Sequence, residues 1–523
     1  MPPISTRTNR EQGFGSHEST WLLSEQNNNT DNYDDNNQYR DTNTHLDEYS
    51  TIDGTQATQI LGQEAKKLAK SSMPLIVAYI LQYSFNFISM LMLGHIGPDE
   101  LAAAGLANVA LVAIVYSPIV GLASALDTYC STAYTASQDK TLVGFHLQRG
   151  IIAVSTQFLL ITPPMWYMET ILLWLNQDPR VAMLCGQFVR VQLLGAIAWM
   201  YFECVKRFLQ AQGIMRAGTI ILIMLLPIHI ANSYLLMWSP TIGFGFLGAA
   251  AANVLTNWLV LAAIIIYTRY SRARAAWGGW TLNAFKAMPQ YFRLAVPSMI
   301  MICCEWVILD LLVLAASYLG STTLAAQSII INTCSVTYQI PDGLSVAVCN
   351  RVGNLIGQGR ARRARLAAWL SIFSGMMAGV LTLILVICIG NLWGGIYSDD
   401  EDVIACVAAI MPACAVFQML DAMNSVGSGV LRSLGRQNAG ALINFPVYYL
   451  LGFPLGLYLT YGHPHIGVLG LWYGICTGVG LAVVLQLLIC IYTNWSKEVQ
   501  RCMERVHKDR LSHSGESSLS LVS

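Results

Sequence analysis

Polar and apolar positions in this chain fall in long blocks rather than in short alternation. Apolar runs recur at 72–94, 101–126, 146–168, 181–204, 218–240, 246–268, 294–317, 324–349, 366–390, 403–427, 440–460 and 466–493. About 20 apolar residues at a 1.5 Å rise cross a bilayer core, so the pattern predicts twelve membrane-spanning helices. The expected fold class is an all-α polytopic membrane protein with twelve transmembrane helices. Composition agrees: 54% hydrophobic and 11% charged is too apolar and too charge-poor for an ordinary soluble domain.

Between the runs, charge is ordered by side. Alternate loops carry Lys140, Arg149, Lys206, Arg207, Arg216, Arg269, Arg272, Arg274, Lys286, Arg293, Arg351, Arg360, Arg362, Arg363, Arg365, Arg432 and Arg436, whereas the opposite loops hold only Arg180. The positive-inside rule then predicts that both termini are cytoplasmic. The opposite side carries Asp399-Asp400-Glu401-Asp402 and His463-Pro-His465, two histidines without the further ligands a metal needs. Residues 1–65 are rich in Asn, Asp, Thr and Gln and read as a disordered cytoplasmic tail without a signal peptide, which leaves membrane insertion to the first span. Within it, Glu18 followed by Leu22-Leu23 fits an acidic dileucine pattern similar to adaptor-read sorting signals of endosomal and vacuolar proteins. None of the 13 cysteines lies in a short loop of the opposite side, so a disulfide framework is not expected, and the neighbouring Cys303 and Cys304 read as small core hydrophobes.

The chain also repeats itself. At an offset of 223, Pro74 meets Pro297, Gly97 meets Gly320 and Pro118 meets Pro341; at 222, Gly213 meets Gly435 and Gly245 meets Gly467. Two six-helix halves with an even number of crossings are parallel repeats about an axis along the membrane normal, a plan used by transporters that hold substrate between lobes. The expected organisation is an N-lobe over 66–268, a cytoplasmic linker over 269–292, a C-lobe over 293–494 and a cytoplasmic C-terminal tail over 495–523.

The repeat makes one asymmetry visible. The seventh run carries Glu305 and Asp310 inside the span, and the tenth carries Asp421, yet the matching N-lobe positions are Gln82, Phe87 and Trp199. A carboxylate deep in hydrocarbon costs about 2.5–3.5 kcal/mol on insertion scales, so such acids face a bundle interior or wet cavity and mark ion or proton sites. Glu305 lies about 18 Å beyond Arg293 and Asp421 about 17 Å from Arg432, which puts them at one depth; Asp342 lies about 14 Å in from Arg351, and Asp310, about 26 Å from Arg293, is nearer the far face. Glu305 and Asp310 are about 140° apart around the helix and need not share a cavity. A structural hydrogen-bond network is the competing role for these acids. Arg190 is the only base expected inside the first lobe, with no partner readable from the sequence, while Asp127 and Glu203 fall near the cytoplasmic boundary and suggest a solvated or structural role.

Several stretches together resemble one family. Gly121-Leu-Ala-Ser-Ala-Leu-Asp127-Thr-Tyr-Cys130, Arg207-Phe-Leu-Gln-Ala-Gln212, Pro297-Ser-Met with Glu305-Trp306, Arg351-Val-Gly-Asn354 with Gly357, Asp421 before Gly429-Val-Leu-Arg432 and Gly435-Arg-Gln437, and Asn444 with Tyr448-Tyr449 come in the order found in the multidrug and toxin extrusion (MATE) transporters of eukaryotes. The resemblance covers roughly residues 66–494. It implies export of amphiphilic, mostly cationic organic compounds in exchange for protons or, as second choice, sodium ions. Glu305 and Asp421 then occupy the family's essential acidic positions, with Asp310 where animal members commonly have Glu. Asp127 where Glu is usual, Ser131-Thr132 in place of Gly-Gln, and Ser433-Leu434 after Arg432 depart from the pattern. The first helix lacks the Asp of many bacterial members.

On this reading Glu305, Asp421, Asp310 and Asp342 are the candidate ion-coupling residues, and Trp306, Tyr338, Tyr448, Tyr449, Gln82 and Asn444 the candidate substrate contacts. No enzyme activity, cofactor, metal or nucleic-acid partner is expected; the partners are small organic substrates, the bilayer and an adaptor complex, and the chain is expected to work as a monomer. The expected location is a vacuolar or endosomal membrane, with the plasma membrane as runner-up. A flippase for lipid-linked sugars shares the two-lobe plan but calls for basic residues in the cavity. A membrane-embedded enzyme calls for clustered ligands, and the spans supply only His229 well within them.

Overall fold

The computed structural model describes residues 54–397, 400–463 and 465–514. Glu18, Leu22 and Leu23 lie outside the described residues. The first half holds α1 (Gly54–Leu93), α2 (Pro98–Leu111 continuing through the π-helical turn Val112–Tyr116 into Ser117–Ala136), α3 (Thr141–Trp166), α4 (Pro179–Ala211), α5 (Arg216–Trp238) and α6 (Phe246–Tyr270). The second holds α7 (Met288–Ser317), α8 (Ser321–Gly357), α9 (Ala361–Tyr397), α10 (Glu401–Ser433), α11 (Gln437–Phe445 through the π-helical turn Pro446–Gly452 into Phe453–Tyr461) and α12 (Val468–Tyr492), followed by α13 (Trp495–Ser514). The expected twelve crossings are thus present. Ten helices among the described residues are apolar and long enough alone, and α3 joins them as a pair with Met168–Trp174, bent by 54°. The polar α8, which carries Asp342 in a Thr-, Ser- and Asn-rich helix, is not among the ten.

Local chemistry sets the ends. Asp178 caps α4 by accepting from the backbone N–H groups of Arg180 and Val181, and Asp400 caps α10 through Asp402 and Val403. Gly213 and Gly435, one repeat apart, turn the chain at φ +77° and +73°, a left-handed conformation glycine adopts without a Cβ penalty. The π-helical turns precede Pro118 and Pro454, where a proline cannot supply the next backbone donor.

The two halves meet along α2 against α7 and α8, and along α1 against α8. Small residues let them touch backbone to backbone. A Cβ on Gly121 would lie 2.3 Å from Met299 Cα, and one on Gly343 2.8 Å from the Ile76 backbone nitrogen. On the side that bears the linker the seam is also hydrogen-bonded. Thr128 Oγ1 donates to the Arg432 carbonyl at 2.7 Å and accepts from Gln437 Nε2 at 2.8 Å, and the Tyr291 hydroxyl donates to the Leu122 carbonyl at 2.9 Å. Arg351 grips Glu64 of α1 with two bonds of 2.7 Å. Thr135 Oγ1 adds a bond to the Asn354 carbonyl at 3.0 Å, so the lobes are held together on the linker side.

Several bases expected in loops are instead buried. Arg149 is 0% exposed, Lys206 and Arg207 2% each and Arg432 5%. These cations lie in the linker-side turns of their helices, at the start of α3 and the ends of α4 and α10, and neighbouring chain covers those turns. Burial is tolerated because each cation has a partner: Arg207 bonds Asp127, Lys206 bonds Glu203 at 2.5 Å, Arg149 bonds Asp509 at 3.0 Å, and Arg432 bonds Ser345 Oγ at 2.9 Å. Arg190 is therefore not the only interior base of the first lobe; its side chain is 35% exposed and pairs with Glu169 at 2.9 Å.

Candidate functional site

The C-lobe gathers polar side chains around Glu305. Glu305 sits on α7, and its Oε1 accepts from Asn424 Nδ2 (2.9 Å) and Ser428 Oγ (3.4 Å) of α10 and from Asn444 Nδ2 (3.1 Å) of α11, while Oε2 accepts from the Tyr338 hydroxyl (3.3 Å) of α8. Asn424 Nδ2 also reaches the Tyr448 hydroxyl at 3.1 Å, and Gln486 of α12 donates to Asn424 Oδ1 at 2.8 Å. Five helices thus contribute to one buried carboxylate. Helical spacing explains the cage: Asn424 and Ser428 follow Asp421 by three and seven residues, so all three share a face of α10.

Asp421 and Asp342 lie within electrostatic range of Glu305, and Asp342 is also within range of Arg432 on its own lobe and of Arg207 and Lys206 across the seam. Asp310 stands apart from this group: it is half-buried, its Oδ2 has no hydrogen-bond partner among the described residues, and the nearby titratable side chain is Tyr449. Of the candidate substrate contacts, Asn444 and Tyr448 are fully buried in the cage. Trp306 lies beside the Tyr338 hydroxyl, and Trp306, Tyr338 and Tyr449 are half-buried.

Gln82 belongs to a different cluster. Its Nε2 donates to Glu203 Oε1 at 2.9 Å and its Oε1 accepts from Lys206 Nζ at 3.2 Å. Lys206 also lies 4.5 Å over the Tyr79 ring, and Arg207 links Glu203 to Asp127. The repeat relates the two clusters: Gln82 corresponds to Glu305 and Lys206 to Ser428, so the same pair of positions touches in each lobe. In the N-lobe the charges are neutralised among themselves. In the C-lobe the carboxylate receives neutral donors only.

Sequence reasoning missed Asn424, Ser428 and Gln486. The available signal was polarity on an apolar background: Gln486 is the one carboxamide in α12, and the α10 pair repeats the phase of Asp421. His229 is a structural tie, bonded to Thr256 at 2.8 Å and to the Phe85 carbonyl at 3.0 Å.

Comparison with known proteins agrees with this geometry. The MatE family model matches residues 74–235 and again 297–458, the second match displaced by 223 from the first, which is the internal offset of the sequence. An uncharacterized transporter of Schizosaccharomyces pombe is 39% identical over 442 residues, covering 84% of this chain and 81% of that protein. Multidrug and toxin extrusion protein 2 of Mus musculus is 33% identical over 448 residues, 85% of this chain and 77% of its own length. The crystal structure of the eukaryotic MATE transporter AtDTX14 superposes with a TM-score of 0.81 at 30% identity, covering 86% of this chain and all of the other. With two family repeats matched in tandem and the same fold in a eukaryotic member, the chain belongs to the MATE family of membrane transporters, in its eukaryotic branch.

Proposed function

We propose that this transporter exports amphiphilic organic cations in exchange for protons, with Glu305 and Asp421 carrying the exchangeable charge. One observation carries the reading: Glu305 is buried among Asn424, Ser428, Asn444 and Tyr338, and no Lys or Arg nitrogen is bonded to it among the described residues. Arg432 lies within electrostatic range of Glu305 but makes no bond to it, so an interior carboxylate held by neutral donors draws further compensating charge from what enters, either a proton or a cationic substrate. Competition between the two for one negative site is the differential binding that exchange requires. Asp421 and Asp342 strengthen the negative field, and two neighbouring acids share protons as a unit.

The ligand chemistry favours the proton over sodium. Gln486 donates to Asn424 Oδ1, which fixes that amide so that its NH₂ faces Glu305. Asn444 also presents its NH₂. A hard cation is held by oxygens, and these groups turn donors toward the site. The half-buried rings of Trp306, Tyr338 and Tyr449 offer faces to an organic cation, a contact worth about 0.5–2 kcal/mol each. The name of the mouse relative, multidrug and toxin extrusion protein 2, supports export of drugs and toxins. The basic-loop bias supports a cytoplasmic linker and termini, and the dileucine pattern a vacuolar or endosomal membrane.

The test is uptake of labelled tetraethylammonium by proteoliposomes holding the purified protein. A pH gradient alone should drive accumulation, and a sodium gradient alone should not. Accumulation that follows sodium, or none under either gradient, overturns the reading.

A further inference from the structure

The segment after the last crossing is a built element. Only Thr493 and Asn494 separate α12 from α13, whose buried residues Trp495, Glu498, Val499, Cys502, Val506 and Asp509 recur at three- and four-residue steps along one face. Two acids on that face are deeply buried, Glu498 at 4% and Asp509 at 2% exposure. Their partners lie in different lobes.

The near half of α13 is fixed to the C-lobe. Glu498 Oε1 accepts from Arg436 Nη2 at 2.7 Å and from Arg501 Nη1 at 2.6 Å. Arg505 lies over the turn between α10 and α11: a Cβ on Gly435 would sit 2.0 Å from Arg505 Nη1. The repeat-related turn at Gly213 has nothing within 4 Å, so this cover exists on one lobe only.

The far half is fixed to the N-lobe and the linker. Asp509 Oδ1 accepts from Arg149 Nη1 of α3 at 3.0 Å, and Arg149 Nη2 donates to the Ala287 carbonyl at 2.9 Å. The same guanidinium lies 5.1 Å from the Tyr129 ring of α2 and 5.6 Å from the Tyr291 ring at the start of α7. Asn283 Nδ2 of the linker donates to the His513 carbonyl at 3.2 Å, and His513 Nδ1 is 3.8 Å from Asp139 Oδ2.

We infer that α13 is a latch that straddles the linker side, so that the lobes part there only when the Asp509–Arg149 pair separates. The inference rests on the two-lobe exchange proposed above. It assigns the rate of opening on the linker side to residues far from Glu305. The pair is an effective latch because it is buried: removing Asp509 from Arg149 leaves a guanidinium in a dry site until water enters, and water enters when the lobes open.

The test reads conformation without substrate or gradient. In full-length, cysteine-free protein in detergent, Thr128→Cys places a single thiol in the seam on the linker side. Asp509→Asn on this background should raise its rate of modification by a soluble maleimide about tenfold or more, the factor expected for one lost charge-assisted hydrogen bond. A second protein carrying Thr128→Cys together with Asp139→Cys and His513→Cys, the latter two bridged by a short bis-methanethiosulfonate before labelling, should react at position 128 at least about tenfold more slowly than the unbridged protein, as read by peptide mass, and reduction should restore the rate at that position. An Asp509→Asn rate equal to the parent's, or a bridged protein that labels as fast as the reduced one, overturns the latch. Because no gradient or substrate is present, that failure is distinct from failure of proton-coupled exchange.

Discussion

Replacing Glu305 by glutamine and by alanine separates its charge from its place in the fold. The glutamine Oε1 can keep the bonds from Asn424, Asn444 and Ser428, and its NH₂ can donate to the Tyr338 oxygen that now donates to Oε2. Only the Tyr338 O–H loses its acceptor, through a long 3.3 Å bond from a half-buried side chain, so the stability change should stay within about 1 kcal/mol. Alanine removes every acceptor. Asn424 then retains the Tyr448 hydroxyl, but Ser428 keeps only the bond it accepts from Gln486, and the Nδ2 group of Asn444 is left without its bond, a loss of about 1–3 kcal/mol before any cavity is counted. Thermal unfolding of the detergent-purified proteins should therefore rank wild type and Glu305→Gln together, with Glu305→Ala below. Proteoliposome uptake should rank them differently: both variants should lose accumulation driven by a pH gradient, because neither can exchange charge at this site. Full gradient-driven accumulation by a stable Glu305→Gln protein, or by the Glu305→Gln/Asp421→Asn double variant, would refute the reasoning and move coupling elsewhere.

Gln82→Glu sets a second carboxylate where an amide now donates to Glu203 at 2.9 Å; it should lower the unfolding temperature and should not restore uptake to Glu305→Gln, and restored uptake would count against a division of roles between the lobes. Asp127→Asn leaves Arg207 buried without its full counter-ion, with an expected loss of about 3–5 kcal/mol, visible as reduced monodisperse protein in size-exclusion profiles after mild heating. Partial recovery in Asp127→Asn/Arg207→Gln would attribute the loss to the stranded charge. Replacing Leu22 and Leu23 with alanine should move fluorescently tagged protein from internal membranes toward the cell surface, and an unchanged distribution would remove the sorting argument.

The helices and their repeat were legible because bilayer thickness imposes long apolar runs and glycine turns recur wherever the chain reverses. Gly213 with Gly435 and Gly245 with Gly467 show both, all four with positive φ. Glu305 and Asp421 stood out for the same reason: charge inside such a run is costly. The cage around Glu305 was harder to see, because Asn424, Ser428 and Gln486 are neutral and carry no such penalty in a sequence scan. Lys206 and Arg207 misled in the other direction. Close to the end of an apolar run they resemble loop markers, yet α4 continues to Ala211, and neighbours supply Asp127 and Gln82 to its last turns. Tertiary partners decide whether a terminal cation is solvated, and those partners are distant in sequence. The same holds for α13, whose mixed charges look like a solvated tail until Arg149 and Arg436 are placed beneath it.

Confinement of Glu305, Asp342 and Asp421 to one lobe, opposite Gln82, Ile119 and Trp199 at the matching positions, bears on what the proposed exchange can accumulate. Each proton returned per cation exported multiplies the attainable concentration ratio by about ten per pH unit. If Glu305 alone titrates, a monovalent cation leaves as one proton enters, and the cycle is electrically silent. If Asp421 releases a second proton in the same cycle, one net charge crosses, and membrane voltage contributes about 2.3 kcal/mol per 100 mV. Under the proposed exchange, the number of carboxylates in this lobe that titrate in each cycle would decide whether the transporter works from acidity alone or from acidity and voltage together, a property measurable as the dependence of uptake on an imposed potassium diffusion potential.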